Sequence, residues 1–446
     1  MIIRNGPIVT WSDPNQILED HEILVQDGVI KEIAAAGELS KQYPEEEVLD
    51  AQGQFIMPGN ICAHNHFYGA FSRGMAIPGE PSRNFSEILA NLWWKLDKAL
   101  DEDGVRYSAL TLLLDAVKYG TTTIIDHHAS PNFIDGSLDV VYEAVLQSGL
   151  RCALCYEVTD RDGEERALVG IRENARFIER VLAGEVDPMV KAHFGLHASL
   201  TVSDETLDRC IEANQNRAGF HTHVAEGIVD QEDSLAKYGK RVVERFWDKG
   251  ILNDKSILAH GIHLNDHEID LLVQSGTWLT HQPRSNMNNA VGVAEVEKML
   301  NAGVPVCLGN DGFSNAMWQE WFVAYLIQKD HKADPRAMNG YDVIKMAVTN
   351  NSKLVTQIYG GLRVGAIEKG AAADIIFVDY HPITPMHAGN LPWHILFGFR
   401  DGMVTMTMAN GRVLMKDRKL LFLDEREVAA KSREVAAQTW ARVQEM

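Results

Sequence analysis

The chain has 446 residues, 46% of them hydrophobic and 23% charged, and a formal net charge of −20. That length fits one large domain plus a smaller one. The acidic balance argues against nucleic-acid binding, which needs a basic footprint, and against an anionic membrane surface. The opening residues carry no signal-peptide pattern, and no apolar run is long enough to span a bilayer, so a cytoplasmic protein is expected. The five cysteines, Cys62, Cys152, Cys155, Cys210 and Cys307, are scattered and form no disulfide framework. Cys152 and Cys155 make a CxxC inside the apolar run Leu150–Val158 and read as buried core thiols.

Residues 1–57 carry short strand patterns. Ile23-Leu24-Val25, then Asp27-Gly28, then Val29-Ile30-Lys31-Glu32-Ile33 predict a hairpin. Apolar runs then alternate with amphipathic stretches. The predicted strands are Phe55–Ala63, Thr121–Asp126, Leu150–Val158, Val190–Leu196, Gly219–Val224, Ser256–His260, Thr277–His281 and Pro305–Gly309. Helical patterns between them include Tyr107–Tyr119, Leu138–Gln147, Glu164–Leu182, Asp204–Asn214 and Asp233–Trp247. This alternation predicts an α/β protein with a (β/α)8 TIM barrel over residues 58–361. Beyond it, Ala373–Val378 predicts a strand, and Val404–Met408, Asn410-Gly411 and Arg412–Met415 predict a second hairpin. Segments 1–57 and 362–424 are expected to form a small β-sandwich from both chain ends. Residues 425–446, rich in Ala, Glu and Arg, predict a C-terminal helix.

Chemistry in such a barrel sits at the C-terminal ends of the strands. Most of the 17 histidines fall there. His64 and His66 end the first predicted strand, and His127 and His128 the second. His197 follows the fourth, and His221, His223 and Glu226 close the fifth. His260 ends the sixth, His281 the seventh and Asp311 the eighth. A catalytic metal needs three or four protein ligands and an open position for water. His64, His66, His223 and Asp311 would supply three imidazoles and a carboxylate. Such a metal lowers the pKa of its water toward about 7. Glu226, three residues past His223, can reach substrate without being a ligand and can shuttle a proton; His260 can share in that transfer.

The pattern resembles the amidohydrolase superfamily, in its cytosine, guanine and chlorotriazine deaminase-like branch. The residues that carry the resemblance are Met57-Pro58-Gly59 leading into His64-Asn65-His66, Gly120-Thr121-Thr122-Thr123, His223-Val224-Ala225-Glu226, Ala259-His260-Gly261, Ser285-Asn286 after His281, and Gly309-Asn310-Asp311-Gly312. Asn91-Leu92-Trp93-Trp94, Asp126-His127-His128-Ala129-Ser130-Pro131 and Arg284-Ser285-Asn286-Met287-Asn288-Asn289 look closest to the SsnA-type aminohydrolases, a group associated with purine catabolism. The resemblance implies His64, His66, His223 and Asp311 as metal ligands, Glu226 as general acid/base and His260 as the second proton-transfer residue, with Asp311 counted among the catalytic groups. Asn310 departs from the family's usual Thr. The end of the fourth predicted strand holds no lysine to bridge two metals, so one divalent ion is expected, Zn2+ first, with Fe2+ and Mn2+ admitted by the same ligands.

Arg73, His128, His197, Arg284 and Trp94 are the substrate-facing candidates. Trp93 and Trp94 have helical spacing, which suits core packing as well as a stacking platform. An Arg- and His-rich mouth would suit an oxidised purine. The expected function is deamination of a purine-like heterocycle with release of ammonia. The same site could instead open a cyclic amide or amidine ring, and a non-catalytic ligand-binding barrel is the third reading. The expected partner is a small heterocycle, and a homo-oligomer is expected from the resemblance.

Overall fold

The computed structural model describes residues 1–446. Its central strands, in chain order, are Asn60–Asn65 (β1), Thr121–Asp126 (β2), Arg151–Leu154 (β3), Phe194–Ala198 (β4), Phe220–Val224 (β5), Ile257–His260 (β6), Trp278–His281 (β7) and Val306–Leu308 (β8). Two parallel sheets contain them. One runs β1, β2, β3 and then the short strand Val190–Ala192; the other runs β4 to β8 in sequence order. Every residue of β1–β8 is buried, as in parallel strands covered on both faces.

The predicted strand Val190–Leu196 is divided at His193. Val190–Ala192 stays with β3, and β4 joins β5. The outer edges of the sheets are also hydrogen-bonded to each other. Val158 N–H donates to Gly195 O at 3.2 Å, and His197 N–H to Val158 O at 2.9 Å. At the opposite edges, Asp311 N–H donates to His64 O at 3.1 Å and His66 N–H to Asp311 O at 3.0 Å.

Most predicted helices are present. Glu102–Tyr119 starts earlier than the periodicity alone predicts, because the Asp101 carboxylate accepts from Gly104 N–H. The single helix expected over Asp233–Trp247 is instead two, Ile228–Tyr238 and Val242–Asp248. Gly239, at φ 67°, ends the first in the left-handed region, and the second starts afresh after Arg241.

The chain ends pair as their hairpins suggest. Asp27 and Gly28 have φ of 50° and 76°, and Asn410 and Gly411 of 49° and 74°, the two positive φ values that a tight hairpin turn demands. Ile2–Arg4 lies in a sheet with His21–Gln26, Val29–Ala35 and Val48–Asp50. In a second sheet, Phe55–Pro58 runs antiparallel to Ile375–Val378. The sheets share an apolar cluster that includes Ile3, Ile23, Ile56, Ile375 and Met408. The predicted strand Phe55–Ala63 is broken at Gly59, where the chain leaves this sheet for β1; a Cβ there would meet Thr122 Oγ1 at 2.3 Å. The C-terminal helix Glu425–Gln444 lies against Glu102–Tyr119, and Trp440 Nε1 donates to Phe71 O at 2.7 Å. No helix is long and apolar enough to cross a membrane.

Gly309, just past β8, lets that strand approach β1. A Cβ there would stand 2.8 Å from both His64 N and His64 O. Gly309→Ala should therefore push β8 away from β1 at His64. The expected cost is about 1–3 kcal/mol of stability, read from the denaturant midpoint, with weaker metal retention in the same protein.

Candidate active site

The strand ends bring the predicted residues together. His66 Nε2 lies 2.8 Å from Asp311 Oδ1 and 3.1 Å from His223 Nε2. His64 Nε2 lies 3.3 Å from the same Asp311 oxygen. His64, His223, His260 and Asp311 place one donor atom each within 4.8 Å of the others. Three of these residues or their neighbours have left-handed backbone: Ala225 (φ 46°), His260 (φ 76°) and Asp311 (φ 60°). Such strain gathers where side chains must be aimed.

The hydrogen bonds behind the imidazoles say what they await. His66 Nδ1–H donates to His127 O at 2.5 Å, and His223 Nδ1–H to His197 O at 2.8 Å. In the neutral rings both Nε2 atoms are then bare lone pairs, and they face each other. His64 Nε2 is buried with no hydrogen-bond partner. Burial drives His223 well below the usual histidine range, with His127 adding to it, and lowers His64 to about 3. Burial also opposes charge on His66, but Asp311 and Glu157 outweigh it and push the group up to about 10. Converging lone pairs beside one carboxylate are the donor set that a divalent cation satisfies, so these four residues fit a metal.

A short helix after β7, Pro283–Asn288, supports the site from above. Ser285 Oγ donates to Asp311 Oδ2 at 2.5 Å, and Asn286 Oδ1 lies 2.8 Å from His260 Nδ1. Asn289 Nδ2 donates to Glu226 Oε1 at 3.2 Å. Glu226 Oε2 is 3.5 Å from His260 Nε2. Burial raises Glu226 above the usual carboxylate range, opposed by His260 and helped by the charge of Asp311. The Asp230 carboxylate accepts from Ala225 N–H and Leu200 N–H, both at 2.8 Å, and so holds the turn that carries Glu226.

A cavity of about 720 Å3, counting its open mouth, lies over these groups. His66, His223, Glu226 and Asp311 form its floor, and Phe85, Leu89, Trp93, Trp94, Leu200 and Phe313 much of its wall. Trp93 closes a π-helical turn, Leu89–Trp93, and Trp94 follows it. Among the substrate-facing candidates, His197 and Trp94 line the cavity. His128 lies behind the lining, buried, with Nε2 2.9 Å from Ser130 Oγ.

Two of the candidates, Arg284 and Arg73, lie outside the cavity lining. Arg284 does not line the cavity, because its neighbours Ser285 and Asn286 take the inward face of their helix, and it reaches only the back of Phe313, 5.4 Å from the ring. Its guanidinium pairs with the buried Glu320 and donates to Ser314 O at 2.7 Å. Arg73 is exposed beyond the 3-10 turn Phe67–Ser72 and does not line the cavity. The mouth is therefore not Arg-rich.

Sequence reasoning missed Glu157, which is 2% exposed. Its Oε1 sits 3.2 Å from His127 Nδ1 and 3.3 Å from His66 Nδ1. Burial works against its charge, yet His127, His197 and His66 hold it well below the usual carboxylate range. The signal was a lone acid in the apolar run Leu150–Val158. Asp97 was missed as well. It lines the cavity and pairs with Arg161, whose guanidinium stacks 5.4 Å from the Trp94 ring.

Comparison with known proteins agrees with this geometry. The profile of the Amidohydrolase family matches residues 55–414. The chain is 30% identical to the 5'-deoxyadenosine deaminase of Methanosarcina barkeri, over 99% of each chain. It is 31% identical to the 5-methylthioadenosine/S-adenosylhomocysteine deaminase of Thermococcus sibiricus, over 93% of this chain and 94% of the relative. In fold it matches an adenosine deaminase from Xanthomonas campestris with bound zinc at a TM-score of 0.83, with 22% identity and coverage of 99% and 98%. A profile spanning most of the sequence and relatives matched nearly end to end lead to one statement: this chain belongs to the amidohydrolase family.

Proposed function

We propose that this chain is a metal-dependent aminohydrolase that removes the exocyclic amine from an adenine-like ring and releases ammonia. The observation that carries the reading is Glu226, largely buried and 3.5 Å from His260 Nε2, beside converging metal donors on the floor of an aromatic-walled cavity. The names of the adenine-nucleoside deaminases it resembles support the ring. We also read the two parallel sheets, hydrogen-bonded along both edges, as one closed (β/α)8 barrel, and the two terminal sheets as a β-sandwich.

His64, His66, His223 and Asp311 would hold one divalent ion, zinc in this reading. When bound, the ion acidifies water and makes hydroxide available near neutrality. The protein's own groups do the rest. Glu226 takes a proton from the attacking water and delivers it to the ring nitrogen beside the attacked carbon. The second water proton, lost from the new hydroxyl, then passes to the amine nitrogen, which leaves as ammonia, so water and amine give a ring oxo group and NH3. His260, aligned by Asn286, faces Glu226 across this path. Trp93, Trp94 and Phe313 offer faces for a flat ring, and His197 a hydrogen bond at its edge.

An ammonia-release screen on the metal-loaded protein tests this. Adenine nucleosides should give one ammonia per substrate with the ring chromophore retained. Loss of ultraviolet absorbance without ammonia would replace the reading with a ring-opening hydrolase. No turnover across adenine nucleosides, guanine, oxopurines, pterins and pyrimidines would overturn it.

A further inference from the structure

No lysine or arginine lines the cavity. Its lining holds four carboxylates, Asp97, Glu226, Asp230 and Asp311. Arg161, just behind the lining, is already committed. It pairs with Asp97, lies 3.4 Å from Asp162, stacks on Trp94, and its side chain is 8% exposed. Arg83, near Phe85, is paired with Glu87 and is 85% exposed. Arg284, whose guanidinium lies 5.4 Å from the ring of Phe313 in the wall, is paired with the buried Glu320 and is not itself part of the lining. Much of the remaining wall is apolar: Phe85, Leu89, Leu200 and Phe313.

We infer that this site selects by charge: it accepts an aminated ring whose remaining substituent is neutral and rejects one bearing a carboxylate or phosphate. The inference rests on the aminohydrolase reading and narrows its substrate class. An anion held against this apolar wall, away from the metal donors on the floor, would lose its hydration and find no lysine or arginine to pair with. A neutral tail gains from the same apolar surface.

The decisive pair is isosteric: adenosine 5'-carboxamide against adenosine 5'-carboxylate, with AMP as a second anion. Two readouts are taken on the metal-loaded protein, kcat/KM for ammonia release and affinity from quenching of tryptophan fluorescence, since Trp93 and Trp94 line the cavity. The carboxamide is expected to exceed the carboxylate by about 100-fold or more in both. Ratios within about three-fold would overturn the inference. Selective binding without ammonia release would retain charge selection and sink the aminohydrolase reading. Absence of binding by either member would overturn both. Leu200→Arg places a cation in the apolar wall and should narrow the gap at least ten-fold by favouring the carboxylate; an unchanged ratio in a folded Leu200→Arg protein would count against the wall as its cause.

Discussion

Glu226→Gln is expected to lower kcat/KM for ammonia release by about 10²–10⁴-fold while leaving bound metal unchanged. The amide keeps the shape of the carboxylate and can still meet Asn289, but it can neither accept a proton from water nor return one to the ring. Glu226 is not among the converging donors, so the ion's ligands remain. The pH profile supplies a second readout. Burial raises the Glu226 carboxyl, so its ionised form is lost as pH falls through that raised value. Activity that needs the carboxylate should show an acid limb above the usual carboxylate range, and the Gln variant should lack it. Equal activity in variant and parent, with equal metal content, would remove Glu226 from the proton path.

The parts of this site legible in the sequence are those set by local periodicity. A strand has a two-residue repeat, so His64-Asn65-His66 and His221-Thr222-His223 each announce a same-side pair, and apolar runs of strand length announce where such pairs end. The hairpins at Asp27-Gly28 and Asn410-Gly411 were legible for the same reason: two successive positive φ values leave few residue choices. What was not legible depends on direction. Arg284 and Ser285 are adjacent in sequence, yet about 100° of helical rotation sends one to Glu320 and the other to Asp311. Glu157 is a single acid in an apolar run; only the fold puts His66, His127 and His197 around it. The charge of the cavity is likewise a tertiary fact, because Arg161 is neutralised by Asp97, an acid 64 residues away.

Removing the metal should abolish turnover and lower the melting temperature, and zinc should restore both. The structure adds a pH signature to that expectation. Asp311 and Glu157 push the His66 pKa up to about 10, so the metal-free protein is expected to carry a proton on that ring. A cation must displace that proton to use Nε2, so metal affinity should rise about ten-fold per pH unit across neutrality and fall as the solution is acidified. Ligand binding to the folded form stabilises it by mass action, so the metal-dependent rise in melting temperature should grow with pH in step. Asp311→Asn separates the two roles of the carboxylate. It removes one of the proposed metal ligands, so affinity should fall at every pH. It also removes the largest influence raising His66, so the proton is held less firmly and the pH slope flattens. Chelator competition between pH 6 and 8 on both proteins reads both effects about neutrality. A parent affinity independent of pH would mean that His66 is already neutral in the metal-free protein, and that the 2.8 Å contact with Asp311 is not an ion pair.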